Sequence, residues 1–278
     1  MLGASRLGSA DESVSSRPED DDAIRLHETQ AGLFRDRYRE YQDDPYRTAF
    51  GYGRKKIAEV VDGILPRVTT GRRVLDAGCG TGFLLRRLEA AGYRCVGIDM
   101  AQGMLRLCRE GGAQSAVFFG DVGALPFASE SFDLVVSIEV VRYLSDPASA
   151  LQEFYRVLKG GGLCVVTAAP RFASHGYALF NWWSRRGRGG NGRGARQYFD
   201  TVGSLRRKLE AVGFRPVTVG ARFLGPFRVL EKLWPGALGP MLRTWESIDG
   251  RVSDLPGIRQ FANHLVGTGV KPGRPGHP

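Results

Sequence analysis

The stretch Val74-Leu75-Asp76-Ala77-Gly78-Cys79-Gly80-Thr81-Gly82 constrains this chain more than any other. An apolar strand ends at Asp76, three alternate glycines follow, and a helical pattern begins at Gly82. Glycine admits φ > 0 and lets the backbone approach a ligand with no Cβ in the way. A turn of this kind points backbone N–H groups at a small molecule beyond the carboxyl end of a parallel sheet. The spacing is not the dinucleotide fingerprint, because the glycines stand at 78, 80 and 82 with Phe83 next. It is not a phosphate loop either, since no Gly-Lys-Ser/Thr follows.

Around that turn the chain alternates strand and helix. Strands are predicted at Arg73–Asp76, Cys95–Asp99, Ala116–Gly120, Leu134–Ile138 and Leu163–Ala168, and helices at Gly82–Ala91, Gln102–Glu110 and Ala148–Leu158. Unbroken apolar runs such as Leu134-Val135-Val136 suit strands buried on both faces. The rhythm predicts an α/β fold, a doubly wound, Rossmann-like and mostly parallel sheet with helices on both faces. Ahead of it, Ala23–Tyr41 and Arg54–Leu65 have helical periodicity and read as an N-terminal helical cap over 23–70, with Ile24, Leu33, Phe34, Tyr38 and Tyr41 on one face. Residues 1–22, rich in Ser, Asp and Glu, read as a disordered tail. Residues 71–278 form the main domain, with insertions at about 171–199 and 220–260. The first insertion holds an aromatic stretch, Tyr177 to Trp183, and a Gly/Arg loop, Ser184 to Arg196. The second reads as short helical pieces broken by prolines. A helix at Val202–Val212 and strands at Arg215–Val219 and His264–Val270 complete the domain.

Composition narrows the function classes. Four scattered cysteines without a CxxC pair or a His/Cys cluster argue against a disulfide framework and a metal site, and fit a reducing cytoplasm. No run of about 18 apolar residues offers a spanning helix, and residues 1–22 lack the apolar core of a secretory signal. Net charge is +10, and Arg171 to Pro216 carries ten Arg/Lys against Asp200 and Glu210. Such a surface favours anionic partners.

Two further acids fall in register with the glycine turn. Asp99 ends the second predicted strand, about 20 residues past the loop, where an acid accepts hydrogen bonds from a ribose diol. Asp121 follows the third strand, where it can accept from an exocyclic amine such as that of adenine. Three acids at three successive strand ends describe a nucleoside site with little call for phosphate.

On these residues, together with Asp121-Val122-Gly123-Ala124-Leu125-Pro126-Phe127, Ser131-Phe132-Asp133-Leu134-Val135-Val136-Ser137 and Glu153 to Leu163, the chain resembles the class I S-adenosylmethionine-dependent methyltransferases from about Tyr46 to Val219. The resemblance implies seven strands with the last antiparallel, and S-adenosyl-L-methionine as cofactor. It also implies that Asp76, Gly78 and Gly80 face the methionine moiety, with Cys79 acting through its backbone. Asp99 would bind the ribose, Met100 would pack on adenine, and Asp121 and Val122 would bracket the adenine amine. Ser137, Ile138 and Glu139 would end the fourth strand where cofactor and acceptor meet. Relatives often carry a His pair just after this strand; here Val141-Arg142-Tyr143 stands.

Methyl transfer from a sulfonium asks the protein mainly to align the acceptor and exclude water, with a base for nucleophiles of high pKa. His175, Glu139 and Tyr143 are the candidate bases. The aromatic stretch followed by Arg185 and Arg186 suggests a lid over an apolar or amphipathic acceptor, and tryptophans beside arginines suit a peripheral membrane contact. The leading expectation is a methyltransferase for a small-molecule nucleophile, either a metabolite or a lipid-linked compound, of anionic or amphipathic character. The alternatives are an RNA methyltransferase using the Arg/Gly loop and a non-catalytic cofactor-binding protein. No RNA-binding module accompanies that loop, so nucleic acid is not the expected partner.

Overall fold

The structure, a computed structural model, describes residues 20–68, 72–174 and 195–273. Helices α1 (Asp21–Asp43) and α2 (Ala49–Ile64) precede a βαβ series of β1 (Arg73–Ala77), α3 (Phe83–Ala90), β2 (Arg94–Asp99), α4 (Gln102–Glu110), β3 (Ala116–Phe119) and β4 (Phe132–Ser137). Then come α5 (Pro147–Val157), β5 (Leu158–Pro170), the two-residue β6 (Phe199–Asp200), α6 (Val202–Val212) and β7 (Val217–Arg222). Helices α7 (Phe227–Leu233) and α8 (Pro235–Val252) precede the last strand, β8 (His264–Val270).

The sheet runs β3-β2-β1-β4-β5-β8-β7, with β6 paired to β5 off this path. From β3 to β5 along this path the strands pair parallel with one another, and β8 is antiparallel to both β5 and β7. Seven strands along the path with an antiparallel last strand agree with the expectation; β6 is an addition that no sequence pattern announced. The chain leaves β1 toward one edge and returns to β4 on the other side of β1. This topological switch point opens a crevice at the carboxyl ends of the strands.

Alternation along the buried strands explains their apolar runs. Val74, Leu134, Val136, Leu163 and Val165 face one layer with Leu85, Leu88 and Cys108. Leu75, Val135, Cys164 and Val166 face the other, with Leu151, Phe154, Leu205 and Leu209. All four cysteines are buried and free. Both caps of α6 follow from sequence: Thr201 and Ser204 make a reciprocal capping box, and Gly213 closes the helix at φ +112°.

Several boundaries differ from the sequence reading. Helix α1 begins at Asp21, inside the segment read as tail, and the Asp20 carboxylate accepts from the Ser145 N–H at 2.8 Å. Leu33 is 46% exposed; the inward face runs instead through His27, Ala31, Phe34 and Tyr38, which keep the 3–4 spacing that Leu33 breaks. Strand β5 starts at Leu158 because that residue pairs with Phe132 before the register shifts. The insertion at 220–260 holds an 18-residue helix that runs through Pro240. Pro235 sits at the first helical position, where no N–H is needed. The ring of Pro240 meets the carbonyl of Gly236, whose exposure lets water satisfy that oxygen. His175, the Tyr177–Trp183 stretch and the Gly/Arg loop up to Gly194 lie outside the described residues.

Phe154, wholly buried on α5 against the sheet, tests the packing. Phe154→Ala should lower unfolding stability by about 3–5 kcal/mol, read as a fall in the denaturant midpoint. A change below about 1 kcal/mol would contradict this placement of α5.

Candidate active site

The glycine turn is held by the neighbouring strand. The N–H groups of Gly78 and Cys79 both donate to the Ile98 carbonyl at 2.8 and 3.0 Å, and Gly80 N–H donates to Asp99 Oδ2 at 2.8 Å. Asp99 Oδ1 accepts from the Ala101 N–H at 2.9 Å, so this carboxylate also fixes the start of α4. All three glycines have positive φ, at +84°, +52° and +75°. A Cβ on Gly78 would lie 2.1 Å from Val140 Cγ2, and one on Gly82 would lie 2.4 Å from Cys108 Sγ. At Gly80 the same position is empty space. Gly78 and Gly82 therefore serve packing, whereas Gly80 leaves its cavity-facing side open.

That cavity lies at the switch point under α1. Asp76, Gly78, Cys79, Gly80, Asp99, Met100, Asp121, Val122, Glu139 and Tyr143 all line it. Ser137 does not; it is fully buried and its hydroxyl donates to the Ala77 carbonyl at 2.9 Å, pinning β4 to β1. Asp121 Oδ1 accepts from the Gly123 N–H at 2.8 Å, a local turn that orients the carboxylate. The cap supplies residues that the sequence reading did not assign to the site: His27 and Tyr38 from α1, and Arg54 from α2. His27 and Tyr38 could have been found from their 3–4 spacing with Ile24 and Phe34. Arg54 carried no such signal. Glu28 ties the cap down, its carboxylate accepting from Gly103 N–H in the first turn of α4 at 2.9 Å.

Charge is arranged unequally. Asp76 is buried at 2% exposure, and its Oδ2 has no hydrogen-bond partner. Burial first, then the nearby Cys108 and Asp99, push its pKa well up. An unpaired buried carboxylate is costly unless a donor or cation joins it. The ammonium of an amino-acid moiety is such a cation, and the open side of Gly80 gives room beside it. The residues present therefore fit S-adenosylmethionine.

Glu139 is the opposite case. It adopts φ +63°, a strained conformation for a side chain of this kind. Its carboxylate is ringed by Arg142 Nη1 at 2.5 Å, Arg54 Nη2 at 3.5 Å and His264 Nδ1 at 3.2 Å. Burial alone would raise its pKa, but Arg142, His264 and Arg54 outweigh it and hold the group well below the usual range. A permanent anion in this ring is a poor proton acceptor near neutrality, which weakens Glu139 as a base. Tyr143 stands in the wall, edge-on to His27 with ring centroids 4.9 Å apart. His264, read from sequence only as part of the last strand, reaches Glu139 because β8 begins beside the end of β5, the strand next to β4. Its pKa is lowered, burial outweighing the attraction of Glu139.

Residues 75–166 match the family described as "Methyltransferase domain". The chain is 44% identical over 90 residues to malonyl-[acyl-carrier protein] O-methyltransferase of Erwinia pyrifoliae, covering 32% of this chain and 34% of that protein. It is 33% identical over 160 residues to ubiquinone biosynthesis O-methyltransferase of a Ruegeria species, covering 53% and 62%. The match thus spans about a third of the first of these relatives and under two thirds of the second. A solved Thermotoga maritima structure described as an S-adenosylmethionine-dependent methyltransferase superposes with TM-score 0.60 at 20% identity, covering 88% of this chain and 99% of that one. Over residues 75–166 the chain thus matches a methyltransferase domain, and its fold is that of the superposed structure.

The site sets the sign of the acid response. Glu139 has a depressed pKa, so its stabilisation is complete above its ordinary value near 4.5 and is lost as pH falls through the folded value. His264 is also depressed; below its ordinary value near 6.5 the unfolded chain binds a proton that the folded chain does not. Both therefore make stability fall on acidification. The melting temperature should begin to drop below about pH 6.5, less steeply in His264→Gln. An equal slope between pH 7 and 5 in both proteins would contradict a buried neutral His264.

Proposed function

We propose that this chain transfers the methyl group of S-adenosylmethionine to a small-molecule nucleophile, a metabolite or a lipid-linked compound. The observation that carries this reading is the unpartnered, buried Asp76 Oδ2 beside the open face of Gly80. S-adenosylmethionine, when bound, supplies a methyl group already activated by the sulfonium charge. On this reading Asp76 holds the ammonium, Asp99 accepts from the ribose hydroxyls, and Met100, Asp121 and Val122 receive the adenine. Asp99 keeps acceptor capacity for that role, since each oxygen is occupied by one backbone N–H. Cys79 contributes backbone only, its side chain being buried. Helix α1, held by Asp20 and Glu28, covers part of the cavity, which limits the access of water to the nucleophile.

The relatives, both O-methyltransferases, support an oxygen acceptor on a small or carrier-linked molecule. Arg54 in the wall, with Arg142 behind it, favours an acceptor bearing negative charge. No side chain among the described residues is assigned as base, since alignment and desolvation suffice for an acceptor that is already anionic.

Calorimetric titration tests the reading. S-adenosylmethionine and S-adenosylhomocysteine should bind saturably and NAD should not. Asp99→Ala should weaken either by about 1.5–3 kcal/mol, roughly 10- to 150-fold. Saturable NAD binding with no response to the sulfur nucleosides would overturn the assignment.

A further inference from the structure

Seven of the eleven large apolar side chains that stand exposed among the described residues fall between Val229 and Phe261. Five of them lie on α7, on α8 and at the corner joining them: Val229, Leu233, Trp234, Met241 and Ile248. Val229 and Leu233 are one turn apart on α7, opposite the buried Phe227. On α8, Ala237, Met241, Thr244 and Ile248 follow at 3–4 spacing as an outer strip beside the inward Leu238, Leu242 and Asp249. Leu233 and Trp234, at 59% and 60% exposed, form the tip of the corner.

The charges of these two helices are sorted by side. Every base, Arg228, Lys232, Arg243 and Arg251, is exposed. Every acid is drawn inward. Asp249 is buried, accepting from Tyr52 Oη, Leu224 N–H and Ser253 Oγ; Glu246 pairs with Lys55 and Tyr46; Glu231 is half-buried. The outer side of these two helices combines Trp, Leu and Met with cations, of which Arg243 pairs with Asp44 at 2.8 Å, and carries no exposed carboxylate of its own, which is complementary to an anionic bilayer surface. Aromatic and aliphatic side chains enter the interface while Lys and Arg meet the headgroups.

The corner also adjoins the site. Arg228 lines a second cavity together with Phe223, Asn263 and His264, and Arg54 walls both this cavity and the main one. We propose that the α7–α8 corner, with Leu233 and Trp234 at its tip, docks this protein on membranes rich in anionic lipid, beside the wall that Arg54 shares with the main cavity. This deepens the methyltransferase reading and rests on it for the reaction served.

Co-sedimentation of the full chain with phosphatidylcholine vesicles, with and without about one third phosphatidylserine, tests it. The wild type should pellet with the anionic vesicles, weakly with the neutral ones, and less as salt rises. The double variant L233S/W234S should lose at least about 10-fold in partitioning, while titration with S-adenosylhomocysteine, far from the substituted tip, stays unchanged and reports a folded site. A wild type that stays in the supernatant overturns the proposal, as does a double variant that binds like wild type. Self-association of the wild type that the double variant abolishes, without vesicle binding, assigns the corner to a second copy and overturns it too. Vesicle binding by a chain that takes up no sulfur nucleoside leaves the docking surface standing and removes the methyltransferase reading instead.

Discussion

Three consecutive amides, Gly78, Cys79 and Gly80, hang from the end of β2, two on the Ile98 carbonyl and one on the Asp99 carboxylate. Everything else at the site depends on that attachment. It holds the loop where positive φ is required, so only glycine serves at 78, 80 and 82. It places Asp76 at the floor with one oxygen unsatisfied. It also couples the loop to α4, because the second oxygen of Asp99 accepts from Ala101. The acid is thus part of the loop's scaffold as well as a candidate ligand contact.

Two layers of further constraint complete the site. The sheet order puts β1 and β4 side by side with their connections diverging, which opens the crevice. The N-terminal cap then roofs it, pinned by Asp20 to Ser145 and by Glu28 to α4. Where the roof meets the sheet, Arg54, Arg142 and His264 surround Glu139 and fix it as an anion. The strained φ of Glu139 is compatible with that wall because four partners, counting the Thr167 hydroxyl that accepts its N–H at 2.6 Å, hold it in place.

The sheet and the glycine turn were legible because both are local: alternation, apolar runs and glycine spacing are written within a few residues of one another. Asp99 and Asp121 were legible for the same reason, each standing at a strand end. Ser137 was not, because position at a strand end does not say which way a hydroxyl points, and this one turns to the Ala77 carbonyl. Arg54 and His264 were illegible for a different reason. They reach the wall through the docking of α2 and the arrival of β8, contacts between residues more than 80 and 120 positions from Glu139. Pro240 misled because a proline inside a helix costs most where its partner carbonyl is buried, and Gly236 is exposed.

On the proposed reading, the buried carboxylate of Asp76, one oxygen unpartnered, receives the cation of a sulfur nucleoside at the floor of the glycine loop. A crystal structure of the complex with S-adenosylhomocysteine measures this directly. The ligand's ammonium should lie within about 3 Å of Asp76 Oδ2 and its ribose hydroxyls on Asp99. A ligand seated elsewhere, or seated here with Asp76 Oδ2 still unpaired, would contradict it.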